Sequence, residues 1–218
     1  GGKKWTAVKT DVRDHLYGVT FTGENFNIGF AVGTYGKIIK TTDGGATWKS
    51  LISNTTEHLS KISFFNEKIG AAVGGNGLIL TTKDGGETWD ASTPCPEFTM
   101  TDAKYLGENK IVAIGQGGCV CRSEDNGDSW KRINVYSLAD FLSLDFVNEK
   151  DGWMTDANGM VWLTGDGGNT WLPFNIRTRP KLVSVQFADN FTGWAVGDNG
   201  LIIRTDDGGF SWQRLSEG

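Results

Sequence analysis

A tryptophan returns every 41 residues. Trp48, Trp89, Trp130, Trp171 and Trp212 each close the same phrase. It reads Thr41-Thr42-Asp43-Gly44-Gly45-Ala46-Thr47-Trp48 in its first copy and Thr205-Asp206-Asp207-Gly208-Gly209-Phe210-Ser211-Trp212 in its last. Fixed self-similarity at such a period is the mark of stacked supersecondary units and constrains the fold more than any local signal. Thirty-one glycines in 218 residues, without a collagen triplet, fit many tight turns between short strands.

Each unit reads as four short strands, A to D. Strand A alternates and ends in an aromatic, as at residues 16–21, 59–64, 101–105, 142–146 and 182–187. Strand B is small and apolar, and its turn into strand C carries Asn76-Gly77, Asn158-Gly159 or Asn199-Gly200, the signature of a type I′ turn. Strand C is β-branched at its centre (Ile38, Ile79, Val120, Val161, Ile202), and the aspartate phrase then leads into strand D at the tryptophan. Four strands in a period near 40 predict an all-β chain, a β-propeller of five four-stranded blades forming one domain over residues 1–218. The repeat units run at about 5–47, 48–88, 89–129, 130–170 and 171–215. Trp5-Thr6-Ala7-Val8 resembles a sixth D strand, so the expected closure is a ring whose first and last segments share one blade, or else part of a larger wheel. Five blades is the expectation.

The aspartate phrase explains itself as a turn. The carboxylates of Asp43, Asp84, Asp125, Asp166 and Asp207 are placed to accept backbone N–H groups, with a left-handed glycine at the fifth position and the tryptophan covering the hairpin. Calcium needs six or more oxygens, whereas each phrase offers one constant carboxylate, so no metal or other cofactor is expected.

At −5 the net charge excludes a general nucleic-acid binder, and no apolar run is long enough to span a bilayer. Three cysteines make neither a zinc set nor a disulfide framework. Cys95 can bridge to Cys119 or Cys121, which share a strand face, but small buried hydrophobes are the expected role of all three.

The chain resembles Asp-box (bacterial neuraminidase repeat) propellers over its whole length. It is most similar to the photosystem II stability and assembly factor family, on the phrase Phe187-Ala188-Asp189-Asn190-Phe191-Thr192-Gly193-Trp194-Ala195-Val196-Gly197, then Gly200-Leu201-Ile202-Ile203 and the last aspartate phrase. The resemblance implies a scaffold outside the cytoplasm (periplasmic, secreted, cell-surface or lumenal) that catalyses nothing. Asn54 and Asn190 head glycosylation-type triplets, which agrees with that location.

The alternative reading is a sialidase-like glycoside hydrolase or glycan-binding propeller. A sialidase needs three arginines converging on a carboxylate, yet Arg122 and Arg204 stand just before aspartate phrases, Arg132 and Arg214 stand two residues after tryptophans, and residues 30–40 hold no arginine. No serine elbow, phosphate loop or metal cluster is present, so no catalytic residue is assigned. A binding site is expected instead where the repeat varies. Ten residues after each tryptophan stand His58, Thr99, Asp140 and Lys181, with His15 at the matching place in the first unit. These ring the mouth formed by the D-to-A connections and B-to-C turns, opposite the aspartate phrases. With Arg13, Tyr136, Arg177 and Arg179 they make a mostly cationic set on an acidic chain, suited to a protein or peptide partner that is acidic or ends in a carboxylate.

Overall fold

A computed structural model describes residues 6–8, 10–174, 176 and 180–215. Its strands fall into five antiparallel sheets, each made of four consecutive strands. The first blade holds Leu16–Thr22 (β1), Ile28–Gly33 (β2), Ile38–Thr41 (β3) and Lys49–Leu51 (β4); the second holds Leu59–Phe64 (β5), Gly70–Gly74 (β6), Ile79–Thr82 (β7) and Asp90–Ser92 (β8). Met100–Tyr105 (β9), Ile111–Gly115 (β10), Val120–Ser123 (β11) and Lys131–Arg132 (β12) form the third. Phe141–Phe146 (β13), Gly152–Asp156 (β14), Val161–Thr164 (β15) and Leu172–Phe174 (β16) form the fourth, and Leu182–Phe187 (β17), Gly193–Gly197 (β18), Leu201–Thr205 (β19) and Gln213–Arg214 (β20) the fifth. Helix among the described residues is limited to single 3-10 turns such as Thr34–Gly36. The expected five four-stranded blades are what the chain builds.

The apolar alternation along each blade buries one face against the next blade. Between the first and second, Phe30, Val32 and Ile38 meet Ile62, Leu80 and Trp89, and the Phe30 and Phe64 rings stack at 3.8 Å. Trp153 and Phe187 stack in the same way between the fourth and fifth, at 3.6 Å. Trp89, Trp130, Trp171 and Trp212 each pack in a cluster that includes the blade before their own, and a buried indole of this kind contributes about 4–6 kcal/mol of area burial when fully covered.

Neighbouring inner strands (β1 with β5, β5 with β9, β9 with β13, β13 with β17) pack together, while β17 makes no comparable contact with β1. Among the described residues the last inner strand is therefore not packed on the first. Within the described residues each blade is completed by its own D strand and no sheet combines strands from both ends of the chain; Trp5, the anchor of the expected shared strand, lies outside the described residues. The outward faces at the two ends are accordingly uncovered. Val19 is 61% exposed where its counterpart Ile62 is 4% exposed, and Ile202 is 44% exposed where Ile38 is fully buried.

The B-to-C turns are type I′ in four blades, with left-handed pairs Tyr35-Gly36, Asn76-Gly77, Gly117-Gly118 and Asn199-Gly200. The fourth blade departs from the expected pattern. Asp156 replaces the glycine that ends strand B elsewhere, and its carboxylate accepts the N–H groups of Asn158 and Met160, both at 2.9 Å. Only Gly159 of that Asn-Gly pair is left-handed.

The cysteines also differ from expectation. Cys95 and Cys119 form a disulfide and only Cys121 is a free, buried thiol. The Gly77 N–H of the second blade donates to the Phe98 carbonyl and holds the 93–99 connection in place, and the Cys95 and Cys119 Cα atoms lie 6.5 Å apart, within disulfide reach.

Candidate functional site

The aspartate boxes show what a structural device looks like in this fold. Asp43 accepts the Thr47 N–H at 2.8 Å and hydroxyl at 2.6 Å and the Thr41 hydroxyl at 2.7 Å, while the Trp48 indole donates to the Gly45 carbonyl at 3.1 Å. Asp84, Asp125, Asp166 and Asp207 repeat the carboxylate bonds. Trp89, Trp171 and Trp212 repeat the indole bond, whereas the buried Trp130 Nε1 has no partner. The fourth box position is left-handed as well as the fifth, and Asn126 fills it in the third blade. Bonds from the Thr47 hydroxyl and N–H and the Thr41 hydroxyl hold the Asp43 carboxyl down to about 2; Ser129 and Ser123 do the same for Asp125. Each carboxylate accepts at least three bonds from its own turn. Among the described residues no cluster of acidic, histidine or cysteine side chains could hold a metal ion.

The opposite end of the blades is built differently. The backbone carbonyls of His15, His58, Thr99, Asp140 and Lys181 each accept the N–H of the first turn residue of their own blade: Thr34, Gly75, Gln116, Ala157 and Asp198, at 2.9–3.0 Å. The main chain at this position therefore performs one task five times, and the side chain is released from it. Two of these side chains reach back to the preceding blade. His58 Nδ1 accepts the Tyr35 N–H at 3.1 Å and lies edge-on to the Tyr35 ring at 5.2 Å, and Asp140 accepts the Gly117 N–H at 3.0 Å. These two thus carry a structural bond at the mouth, His58 from an exposed side chain and Asp140 from a half-buried one.

Arg13, His15 and Lys181 are exposed, and Tyr136 stands 93% exposed in a left-handed turn whose N–H is held by the Asn134 side chain. Arg177 and Arg179 lie outside the described residues. The inner strand that follows Lys181 (β17) makes no comparable contact with the one that follows His15 (β1).

Three features of this face were not anticipated. Tyr35, Ile52 and Leu138 are large apolar groups left exposed on it. An open groove of about 560 Å³ runs from Tyr35 and Lys37 along Ile52 to Thr56, beside His58. Below the mouth the five inner strands line a polar channel of about 390 Å³, with Lys61, Asp102, Lys104, Asp145, Ser184 and Gln186 among its walls. Lys104 pairs with Asp145 at 3.3 Å, and Asp102 is buried with its carboxyl pushed up by desolvation. The polar half of the strand-A alternation was the signal for this channel.

The family model for the photosynthesis system II assembly factor YCF48 matches residues 2–93 and 128–217. No curated protein matches the sequence. Among solved structures, YCF48 from Cyanidioschyzon merolae superposes with a TM-score of 0.66 at 18% identity, covering 95% of this chain and 87% of that one. A structure described as YCF48 bound to D1 peptide gives 0.68 at 19% identity, covering 96% and 83%. An ancestral GH74 enzyme gives 0.79 at 15% identity over 99% of this chain and 33% of its own. Likeness at these identities speaks for the fold.

Proposed function

Given that the chain belongs to the photosynthesis system II assembly factor YCF48 family, we propose that it is a non-enzymatic assembly scaffold that binds a peptide or protein partner through the D-to-A face. The observation that carries this reading is the fivefold carbonyl bond at His15, His58, Thr99, Asp140 and Lys181, which fixes the backbone and leaves the side chains chemically varied. A relative described as bound to D1 peptide supports a peptide as the ligand class. Arg13, His15, Lys181 and the neighbouring Arg177 and Arg179 favour an acidic or carboxylate-terminated segment, while Tyr35, Ile52 and Tyr136 offer apolar contact beside them. The Cys95–Cys119 disulfide fits an oxidising, extracytoplasmic compartment. No helix among the described residues is long and apolar enough to cross a membrane.

Glycoside hydrolysis is the less favoured reading. Its usual chemistry needs a pair of carboxyls free to act on the substrate. In the channel Asp102 accepts the N–H groups of Ala103 and Leu144, and Asp145 accepts that of Phe187 and pairs with Lys104. The test pairs fluorogenic sialoside and β-glucan assays with fluorescence anisotropy of acidic peptides carrying a free or an amidated C-terminus. Peptide binding that weakens with salt and on amidation, without turnover, supports the scaffold. Turnover abolished by Asp145→Asn would replace it with the hydrolase.

A further inference from the structure

The junction between the fourth and fifth blades breaks the repeat on its box side. The cross-strand pair joining strands C and D is Lys40 with Lys49, Thr81 with Asp90, Arg122 with Lys131 and Arg204 with Gln213; in the fourth blade it is Leu163 with Leu172. The A-to-B turn residue whose carbonyl accepts the N–H at the fourth box position is Asn27, Lys68, Asn109 and Lys150, but Phe191 in the fifth blade. Two residues before each box tryptophan stand Ala46, Glu87, Asp128, Asn169 and then Phe210. Even the bond across the junction changes hands. Lys40 and Arg122 donate to the box glycine carbonyls of Gly85 and Gly167, both at 2.8 Å, whereas the Trp153 indole makes the equivalent bond to Gly208 at 2.8 Å.

These substitutions converge on one place. Trp153, Leu163, Leu172, Phe174, Phe191 and Phe210 line a cavity of about 340 Å³, and Phe174 meets Phe210 edge-on at 5.3 Å. Leu172, Phe191 and Phe210 are 64%, 66% and 69% exposed, so the apolar surface is not part of the core. The other junctions carry mostly charged or polar side chains at the same positions. The charged residues that line the cavity are acidic: Asp207 within its box, and Asp151 at the mouth, held by the side-chain amides of Asn148 and Asn190 at 2.8 and 2.9 Å. Pro173 removes a backbone donor from the outer edge strand, which disfavours recognition by strand addition and leaves the side-chain slot.

We propose that this slot is a second binding site, which takes one large apolar side chain, aromatic or leucine, from a partner protein segment flanked by lysine or arginine. Its volume suits a single anchor residue, and its acidic lining selects the flanks. It lies on the box side of the blades, opposite the D-to-A face, and so would let the scaffold hold two segments of opposite charge at once.

The test uses the full chain, isotope-labelled and assigned, titrated with capped Lys-Lys-Phe-Lys-Lys, Lys-Lys-Ala-Lys-Lys and Glu-Glu-Phe-Glu-Glu peptides. The basic phenylalanine peptide is expected to shift the amides of Phe191, Thr192 and Gly208, and the other two are expected to leave them in place. The double variant Phe191→Lys with Phe210→Asn installs residues that the fourth blade already carries at these positions, so it should fold, as its Tm will show. It should bind the basic peptide at least about tenfold more weakly, as loss of two aromatic anchors implies. Equal shifts with the alanine or the acidic peptide, or unchanged binding by the double variant, would overturn the proposal. So would self-association or adsorption to neutral phosphatidylcholine vesicles that the double variant abolishes, since the slot would then serve a second copy or a lipid surface.

Discussion

The Asp102 carboxylate on β9 accepts the backbone N–H of Leu144 on β13 at 3.1 Å, joining the third blade to the fourth where no strand ladder runs between them. Its other oxygen accepts the Ala103 N–H at 2.9 Å. Asp145 and Ser143 make the same kind of bond to Phe187 and Val185 at the next junction. Asp102→Ala strands two buried donors and should cost about 1–3 kcal/mol in urea unfolding at neutral pH. Burial raises the Asp102 carboxyl above its ordinary value, so its contribution is greatest below that value and is lost as pH rises through the raised one. Asp102→Asn, which keeps an acceptor and removes the charge, should therefore cost less than alanine at pH 7. A larger loss for asparagine than for alanine would contradict this account.

The box carboxylates respond to pH in the opposite sense. Asp43 and Asp125 are held at about 2 in the folded chain against an ordinary value of 3.8. Their contribution is complete above the ordinary value and disappears as pH falls from there through about 2. Thermal unfolding should show a Tm that drops steeply below pH 4. Asp125→Ala should lower the Tm at pH 7 and make the acid drop shallower, and added calcium should leave the Tm of both proteins unchanged.

The disulfide closes a loop with a sequence separation of 24 between two blades. In the chain-entropy model a loop of that size is worth roughly 3.5 kcal/mol. Cys95→Ser should accordingly lower the Tm and loosen the 93–99 connection, seen as faster amide exchange at Phe98 and Gly77. Burial pushes the Cys121 thiol up to about 12, so it should react with a thiol reagent only after denaturation. Rapid labelling of the native protein would overturn that assignment.

The period and the box made the blades legible because both are local devices repeated at constant spacing. The mouth positions were legible for a related reason: His15, His58, Thr99, Asp140 and Lys181 share a place in the repeat while differing in chemistry. Ring closure was not legible, since it depends on the angle between successive blades, which a repeated phrase does not specify. The Cys95–Cys119 pairing depended on how the 93–99 connection folds over its neighbour, held by the Gly77–Phe98 bond. The slot at Phe191 and Phe210 was hidden because attention to what repeats passes over the one junction that does not.

The central claim is that a partner is held at the D-to-A face by its varied, cationic residues. The most direct measurement is the salt dependence of peptide affinity for the wild type, for Arg177→Ala/Arg179→Ala/Lys181→Ala and for Asp125→Ala, using one acidic peptide with a free C-terminus. The account predicts that the triple variant loses about tenfold or more in affinity and most of the salt dependence, while Asp125→Ala binds as the wild type does. Affinity unchanged in the triple variant and lost in Asp125→Ala would place the partner on the box side and contradict it.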